Sequence, residues 1–421
     1  MADDLGEDAS LTPRGRSLCR GCGGEDLVSV LDLGSQPLAN EMAETSDDAD
    51  PAFPLHLRIC PSCGLGQVGE FVLPERIFSD DYPYISSVST SWVRHAGEYA
   101  RQMHDDLDLS SDDLVVEVAS NDGYLLEQVM AMGVRVLGIE PAGNVAALAR
   151  RRGVPTISEF FGIDTARRVV AEHGHPRLVA ANNVMAHVPN LQDFTAGLAA
   201  LCDDSTIITV ENPSFLNLLR ETQFDTIYHE HFSYLTAHSV QRVVEPHGLR
   251  LVGVDTLPTH GGSNRYRLAR TTSGVPVARS VAETIDRELA GGLLEPAEWS
   301  AFADRSRSAI GGLRSWLDEQ QRLGRRVAGY GAAAKGNTLL NAAGGVATDL
   351  LVVADGSAAK QGKLLPGSHV PVVAPSALPD HRPDAVLVLP WNIATEVVPV
   401  VQDLLPGADC WIAVPSMRLL A

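Results

Sequence analysis

The chain contains no apolar run approaching the ~20 residues of a membrane-spanning helix, so no bilayer span is expected. It is also short of positive charge. Lysine and arginine total 33 against 53 aspartates and glutamates, a formal charge of -20. Phosphate backbones bind cationic surfaces, so this balance argues against a nucleic-acid partner. An anionic small substrate would need a local basic pocket inside the acidic field, which itself mostly serves solubility. The opening residues, MADDLGEDAS, are acidic and polar, unlike a secretory signal or transit peptide. The cytoplasm is the expected compartment, a monomer the expected state, and residues 1–16 read as disordered. No tandem short repeat or low-complexity tract is present.

At 421 residues the chain is too long for one compact core, so two or three domains are expected. Four of its six cysteines fall into two tight pairs, Cys19/Cys22 and Cys60/Cys63, in CRGC and CPSC. Pairs of this kind in a cytoplasmic protein suggest metal more than disulfide. Two C-x2-C knuckles complete a closed shell of four thiolates on a tetrahedral ion, which holds a fold and does no chemistry. A segment this small has little core of its own, so a zinc staple makes physical sense. Between the pairs, LVSVLDLGSQPLAN and FPLHLRIC read as short strands, and EMAETSDDADP (41–51) as a solvated loop.

From about Asp112 strands and helices alternate. DLVVEVAS (113–120), VRVLGIEP (134–141), TISEFF, RLVAANNV (177–184) and STIITVE (205–211) read as strands, with helices between them. This alternation implies a parallel, doubly wound sheet with its ligand crevice at the carboxyl ends of the strands. GLRLVGVDTL (248–257) and NRYRLART (264–271) read as a strand pair closing it, the layout of the common methyltransferase fold. After a charged helical stretch, RRVAGYGAAAKGNTLLNAAG (325–344), LLVVAD, DAVLVLP and CWIAVP read as a second, shorter Rossmann-like unit.

The turn after the first central strand, VEVASNDGYLL, lacks the G-x-G-x-x-G dinucleotide fingerprint. Its polar residues, Glu117, Ser120, Asn121 and Asp122 beside Gly123, suit a zwitterionic amino-acid group better than a pyrophosphate. Glu140 ends the next strand, where a carboxylate can accept both ribose hydroxyls of an adenosine. At the fourth strand's end, Asn182 and Asn183 lie at the crevice floor, and His187 is read as facing the same side of a helical turn as Asn183. The densest cluster is TIYHEHFSYLT (226–236). Two histidines, a carboxylate and two phenols there allow general acid/base work near neutral pH. Its spacing does not match the H-E-x-x-H zinc motif, and a purely structural polar network is the competing reading. Tyr82 and Tyr84 in DYPYISSVSTSW are read as a lid or as phenol catalysts, with core packing nearly as good an account. GYGAAAKGN (329–337) lacks P-loop spacing but offers backbone N–H groups and Lys335 to a phosphate.

These motifs together resemble the sugar C-methyltransferases that act on nucleotide-linked deoxyketosugars in antibiotic biosynthesis. The resemblance covers nearly the whole chain: CRGC and CPSC around LDLGSQPLAN, then VVEVASNDGYLL, GIEPA, ANNVMAHVPN, YHEHFSYLT, THGGSNR and GYGAAAKGNTLL. It implies an α/β chain of three parts. These are a small four-cysteine zinc module (1–75), a central doubly wound class I methyltransferase domain (76–272) and a C-terminal Rossmann-like substrate-binding domain (273–421). It implies S-adenosylmethionine as methyl donor and a dTDP-linked 4-keto-6-deoxy sugar as substrate, often 2-deoxy and sometimes 3-amino. Methylation is expected at carbon 3, with carbon 5 as the alternative. By the same resemblance His231 is the base and Tyr228 and Glu230 orient substrate or base. Asn183 and His187 flank the ketone, and Tyr82 enters from the lid. The expected cofactor contacts are Glu117, Ser120, Asn121, Gly123, Glu140, Pro141 and Asn182. Gly331, Lys335 and Asn337 are expected to hold the substrate nucleotide. Rival readings are an NAD-dependent sugar-nucleotide dehydratase or epimerase, which lacks its Tyr-x-x-x-Lys pair here, and an O- or N-methyltransferase. A third is a zinc-ribbon interaction protein that binds S-adenosylmethionine without turnover.

Overall fold

The computed structural model describes residues 18–44, 50–78, 82–344 and 349–421. The N-terminal stretch expected to be disordered, through residue 16, and the middle of the acidic loop lie outside the described residues.

Strands form where the apolar, β-branched runs are. β1 (Val28–Pro37) and β2 (Ala52–Ile59), between the cysteine pairs, and β3 (Gly66–Gln67), just after the second, make an antiparallel ladder. β4 (Leu114–Val118), β5 (Arg135–Ile139), β6 (Thr156–Ile157), β7 (Leu178–Asn182) and β8 (Ile207–Pro213) alternate with helices. β9 (Ser233–Tyr234) follows the histidine cluster. β10 (Leu249–Leu257) and β11 (Ser263–Arg270) form an antiparallel hairpin. β12 (Val327–Tyr330), β13 (Leu350–Ala354), β14 (Val372–Val373), β15 (Ala385–Val388), β16 (Asp409–Ile412) and β17 (Arg418–Leu419) build the last sheet.

The central sheet has the order β10-β11-β8-β7-β4-β5-β6. Strands β4 to β8 pair in parallel, and β11 joins β8 antiparallel. Every residue of β4 is buried, as a strand covered by helices on both faces requires. The chain leaves β6 on one side of β4 and returns as β7 on the other. The point where strand order reverses is therefore between β4 and β7, and a crevice opens at their carboxyl ends. The third sheet, β14-β13-β12-β15-β16-β17, is parallel except for β17. Among the described residues, no helix is long and apolar enough to cross a membrane.

The first sheet departs from the sequence reading. Its order is β1-β2-β3-β9, so the residues just after YHEH complete the zinc module's sheet and not the central one. The packing follows suit. One apolar cluster runs from Leu55, Leu57 and Ile59 through Phe215, Phe224 and Trp299 to Leu339, Val353 and Leu387. The three units share that core.

Gly66 lies where this shared core is tightest. A Cβ there would come 2.6 Å from Phe215 Cζ, and the Phe215 ring is buried. Gly66→Ala should therefore destabilise the fold by about 1–3 kcal/mol through overpacking, seen as a lower midpoint in urea or thermal unfolding. An unchanged midpoint would show that the Phe215 ring yields freely.

Candidate active site and metal centre

The ligand sulfurs of Cys19, Cys22, Cys60 and Cys63 all lie within 4.8 Å of one another. Two of the separations are 3.5 Å (Cys19 to Cys63) and 3.6 Å (Cys22 to Cys60). These distances are far too long for disulfides. Tetrahedral Zn–S bonds of about 2.3 Å would place sulfurs about 3.8 Å apart, close to what is seen. Burial pushes the Cys60 thiol up to about 11, so four thiolates here need a cation among them. Each knuckle closes by an amide turning back on its first cysteine: Gly23 N–H donates to the Cys19 carbonyl and Gly64 N–H to that of Cys60, both at 2.8 Å. Both glycines have positive φ, 76° and 69°, which a side chain would strain.

The crevice between β4 and β7 begins with a turn in which Ala119, Asn121 and Gly123 all have positive φ. Gly123 is closely confined, since a Cβ would sit 3.1 Å from Ala149 and Val154. Ser120 is fully buried with its Oγ against Gly138 of β5, so it wedges the turn onto the sheet. Glu140 accepts the Asn121 and Ala142 amides, each at 2.9 Å, and Pro141 follows it half-buried. Burial pushes the Glu140 carboxyl above its usual range and that of Glu117 well above it. Glu117 Oε2, Asn182 Oδ1 and Asn183 Oδ1 are buried without partners. Asp122 is paired with Arg152 at 2.9 Å. Three buried carboxyls share one guanidinium, so ionising all of them would leave surplus negative charge. A ligand carrying an ammonium and a sulfonium fits that surplus, and a pyrophosphate does not.

The segment after Tyr82 lies across this turn. The Asn144 side chain donates to the Tyr82 carbonyl at 3.0 Å. The Asn121 side chain donates to the Tyr84 carbonyl at 3.3 Å and accepts the Ser86 amide at 2.8 Å. Arg152 donates to Ser87 Oγ at 2.7 Å. The Tyr82 ring packs on Phe78 (centroids 5.3 Å), which in turn meets His187 (6.0 Å).

His187 and Asn183 do not share a helical turn as expected. Asn183 has φ 52° and only Met185–His187 is helical, as a single 3-10 turn. The Asn183 amide donates to the Glu211 carbonyl at 2.7 Å, which keeps it in line with β8. His187 still reaches the crevice, 4.7 Å from the His231 ring. Burial drives it down to about 4, so it is neutral at pH 7.

His231 Nδ1 lies 2.9 Å from the Thr226 carbonyl and Nε2 lies 2.8 Å from Tyr228 Oη. A carbonyl only accepts, so Nδ1 carries the proton and Nε2 presents its lone pair to the phenol. Burial, together with the neighbouring His187 ring and the Lys335 charge, holds His231 well below the usual histidine range. Glu230 is 3% exposed. It accepts the Asn40 side-chain amide at 2.6 Å, and burial raises it to about 7.

The Gly-rich turn of the third sheet does not offer the phosphate cradle that its sequence suggests. Gly331 N–H donates to the Ala354 carbonyl (2.7 Å), Ala332 N–H to Asp355 Oδ2 (2.7 Å) and Ala333 N–H to the Gly331 carbonyl (2.8 Å). All three amides are taken, one by a carboxylate that would repel phosphate. Asn337 is buried where this unit meets the zinc module, its side chain donating to the Ala39 carbonyl at 3.4 Å. Lys335 instead points toward the central domain. It donates to Asn392 at 2.7 Å and lies 4.9 Å from the Trp391 ring. Trp391 donates to the buried Asp225 at 2.7 Å.

Several residues near the crevice were not read from sequence. Glu211, near the end of β8, is fully buried and accepts from His95 (2.9 Å) and Arg265 (2.9 Å). Burial acts to raise it, but His95 and Arg265 outweigh that and hold it below the usual carboxylate range. Trp92 stacks on His95 and tilts against His260 of THGGSNR. Only the last of these carried a signal, its place in a Gly-rich turn between strands.

Three domain families match the chain. They are a zinc binding domain over residues 19–78, a methyltransferase domain over 93–254 and the C-methyltransferase C-terminal domain over 258–415. C-methyltransferase NovU from Streptomyces niveus is 35% identical over 406 residues, covering 96% of each chain. The chain belongs to the C-methyltransferase family. Among solved structures it is similar to magnesium protoporphyrin IX methyltransferase from Synechocystis PCC 6803 with bound SAM, at 12% identity. That match covers 42% of this chain and 79% of the other, with a TM-score of 0.32. The PH0226 protein from Pyrococcus horikoshii OT3 is likewise similar, at 12% identity over 47% and 97% of the two chains, with a TM-score of 0.37. This C-methyltransferase takes its methyl group from S-adenosylmethionine and carries zinc on the four clustered cysteines, Cys19, Cys22, Cys60 and Cys63.

Because the zinc module shares its core with both other units, metal loss should be felt globally. Cys60→Ser should lower zinc content and the unfolding midpoint together, checked by metal analysis and calorimetry. Undiminished stability in a zinc-free protein would remove the scaffolding role.

Proposed function

We propose that this enzyme methylates carbon 3 of a dTDP-linked 4-keto-6-deoxy sugar, 2-deoxy and in some cases 3-amino, through an enolate whose proton goes to His231. The observation that carries this reading is the Tyr228–His231 pair, 2.8 Å apart, with the far ring nitrogen on the Thr226 carbonyl at 2.9 Å. Methylating carbon requires a carbon nucleophile, and a carbon beside a ketone is acidic enough for an enzyme base to provide one. The whole-length motif set supports the sugar class, and the relative named a C-methyltransferase supports carbon as the methyl acceptor.

When bound, S-adenosylmethionine supplies an electrophilic methyl group. The protein's part is proton handling and charge control. Nε2 of His231 already holds the Tyr228 proton in a hydrogen bond. As a substrate proton reaches Tyr228 Oη, the phenol proton passes to Nε2, and the Thr226 carbonyl steadies the imidazolium that forms. Neutral His231 is required at the outset, and burial provides it. Asn183 and His187 flank the ketone. Lys335 is near enough to depress His231, so its charge also bears on an enolate oxygen and stabilises it. Glu230, held by Asn40, positions the loop.

His231→Asn should abolish solvent deuterium exchange at the carbon beside the ketone, and methyl transfer with it, while S-adenosylmethionine still binds. Tyr228→Phe should slow exchange by roughly 10²–10⁴-fold. Exchange that persists in His231→Asn would remove His231 as the base, and NMR of the product locates the methyl.

The pH profile follows from the histidine. A folded-state value depressed below 6.5 leaves His231 unprotonated from neutral pH down to that point, and activity is lost only as pH falls further. The acid limb of kcat/KM should therefore lie below pH 6.5 in both wild type and Glu230→Gln. A wild-type limb near pH 7 that disappears in Glu230→Gln would instead assign it to the Glu230 carboxyl, which titrates at about 7.

A further inference from the structure

The loop that carries the base is held almost entirely by the zinc module. His229 Nε2–H donates to the Phe53 carbonyl at 3.1 Å. Glu230 accepts from Asn40. The Phe232 carbonyl accepts the Val68 amide at 3.2 Å. Ser233 and Tyr234 pair with Gln67 and Gly66. Of the seven residues from Tyr228 to Tyr234, Tyr228 and His231 turn to each other, and the other five are clasped by the module. His231 sits between two clasped neighbours, so the module sets where its ring can point.

Arg20 is the centre of this clasp. It lies inside the first knuckle, between Cys19 and Cys22, and is 3% exposed. One guanidinium nitrogen donates to the Phe232 carbonyl and the other to the Val68 carbonyl, the latter at 2.9 Å. The guanidinium carbon is 5.4 Å from the Phe232 ring centroid. The Arg20 amide donates to Gln67 Oε1 at 2.9 Å, and Gln67 returns a bond to the Leu18 carbonyl at 3.1 Å. Arg20 thus binds the knuckle, β3 and the residue after His231 in one unit. Arginine is seldom buried without a set of acceptors to satisfy it, and here the two carbonyl acceptors belong to the two segments being joined.

We infer that Arg20 is a positioning residue for the Tyr228–His231 pair, so the zinc module sets the rate of proton removal as well as holding its own fold. This rests on the reading of His231 as the base. A small displacement of a reacting group is costly even when its cause is remote. A merely structural Arg20 would change stability or zinc content and leave the proton-transfer step alone.

Arg20→Met keeps the stem over Phe232 and removes both donors. It should retain zinc, by metal analysis, and S-adenosylmethionine affinity, by calorimetry. Exchange at the carbon beside the ketone and kcat should fall together, roughly 10- to 100-fold, with KM changing less. Arg20→Lys should restore part of the loss. In ¹⁵N-histidine NMR, His231 should lose its single Nδ1–H tautomer. Wild-type exchange and an unchanged tautomer in Arg20→Met would overturn the inference. Should Arg20→Met not fold, Asn40→Ala releases the same loop away from the cysteines. It should slow exchange at full zinc content, and wild-type exchange there also overturns the inference. Failure of the ketosugar reading shows separately, as wild-type enzyme that exchanges no proton of the ketosugar. The tautomer comparison then still decides the role of Arg20.

Discussion

A two-residue strand pairing, Gly66–Gln67 against Ser233–Tyr234, joins the metal module to the reaction centre. So short a ladder has little stability of its own. It persists because one of its strands follows directly on Cys63 and is fixed by the knuckle. Behind it Phe215 packs so closely that Gly66 has no room for a side chain. Remove the metal and the ladder loses its anchor, and with it the loop that orients His231. A closed four-cysteine site that does no chemistry still reaches the YHEH loop this way, through the backbone that it holds.

Burial acts with opposite sign at the two ends of the crevice. At the cofactor end it drives carboxyls upward, and Glu117 and Glu140 have one nearby guanidinium between them and Asp122. That end is uncomfortable when empty of positive charge, and a cationic cofactor relieves it. At the catalytic end burial drives histidines downward, so His187 and His231 stay neutral. A neutral imidazole has a lone pair to use; an imidazolium has none. One physical effect thus raises carboxyls on one side and keeps imidazoles neutral on the other.

The sheets and the metal site were legible because their signals are local. Apolar β-branched runs mark β4, β5, β7 and β8, and the two C-x2-C pairs mark the zinc site at any distance apart. YHEH was legible as a dense cluster. What was not legible depends on partners remote in the chain. Two residues cannot announce a strand, so β9 read as part of the central unit. The bond from Asn40 to Glu230 spans 190 positions. The GYGAAAK turn looked open to phosphate because Asp355, which takes one of its amides, lies 23 residues from Ala332. Asn183 looked helical by spacing, but its amide is drawn to the Glu211 carbonyl on the next strand.

With the turn amides satisfied internally, the third unit's reach into the crevice is by side chain. Lys335 approaches alongside Asn392 and Trp391, and Trp391 is bonded to Asp225, three residues before Tyr228. Burial raises Asp225 to about 6 while the Lys335 charge holds it down. The cation is therefore poised between a carboxylate and the Tyr228–His231 pair, with the Asp225 Oδ1 atom still unpartnered. The zinc module grips the base loop after Tyr228, and the C-terminal unit grips the chain just before it. The Tyr228–His231 segment is thus suspended between two units outside the central sheet. Groups from all three units meet around it, and the same three units share one apolar core.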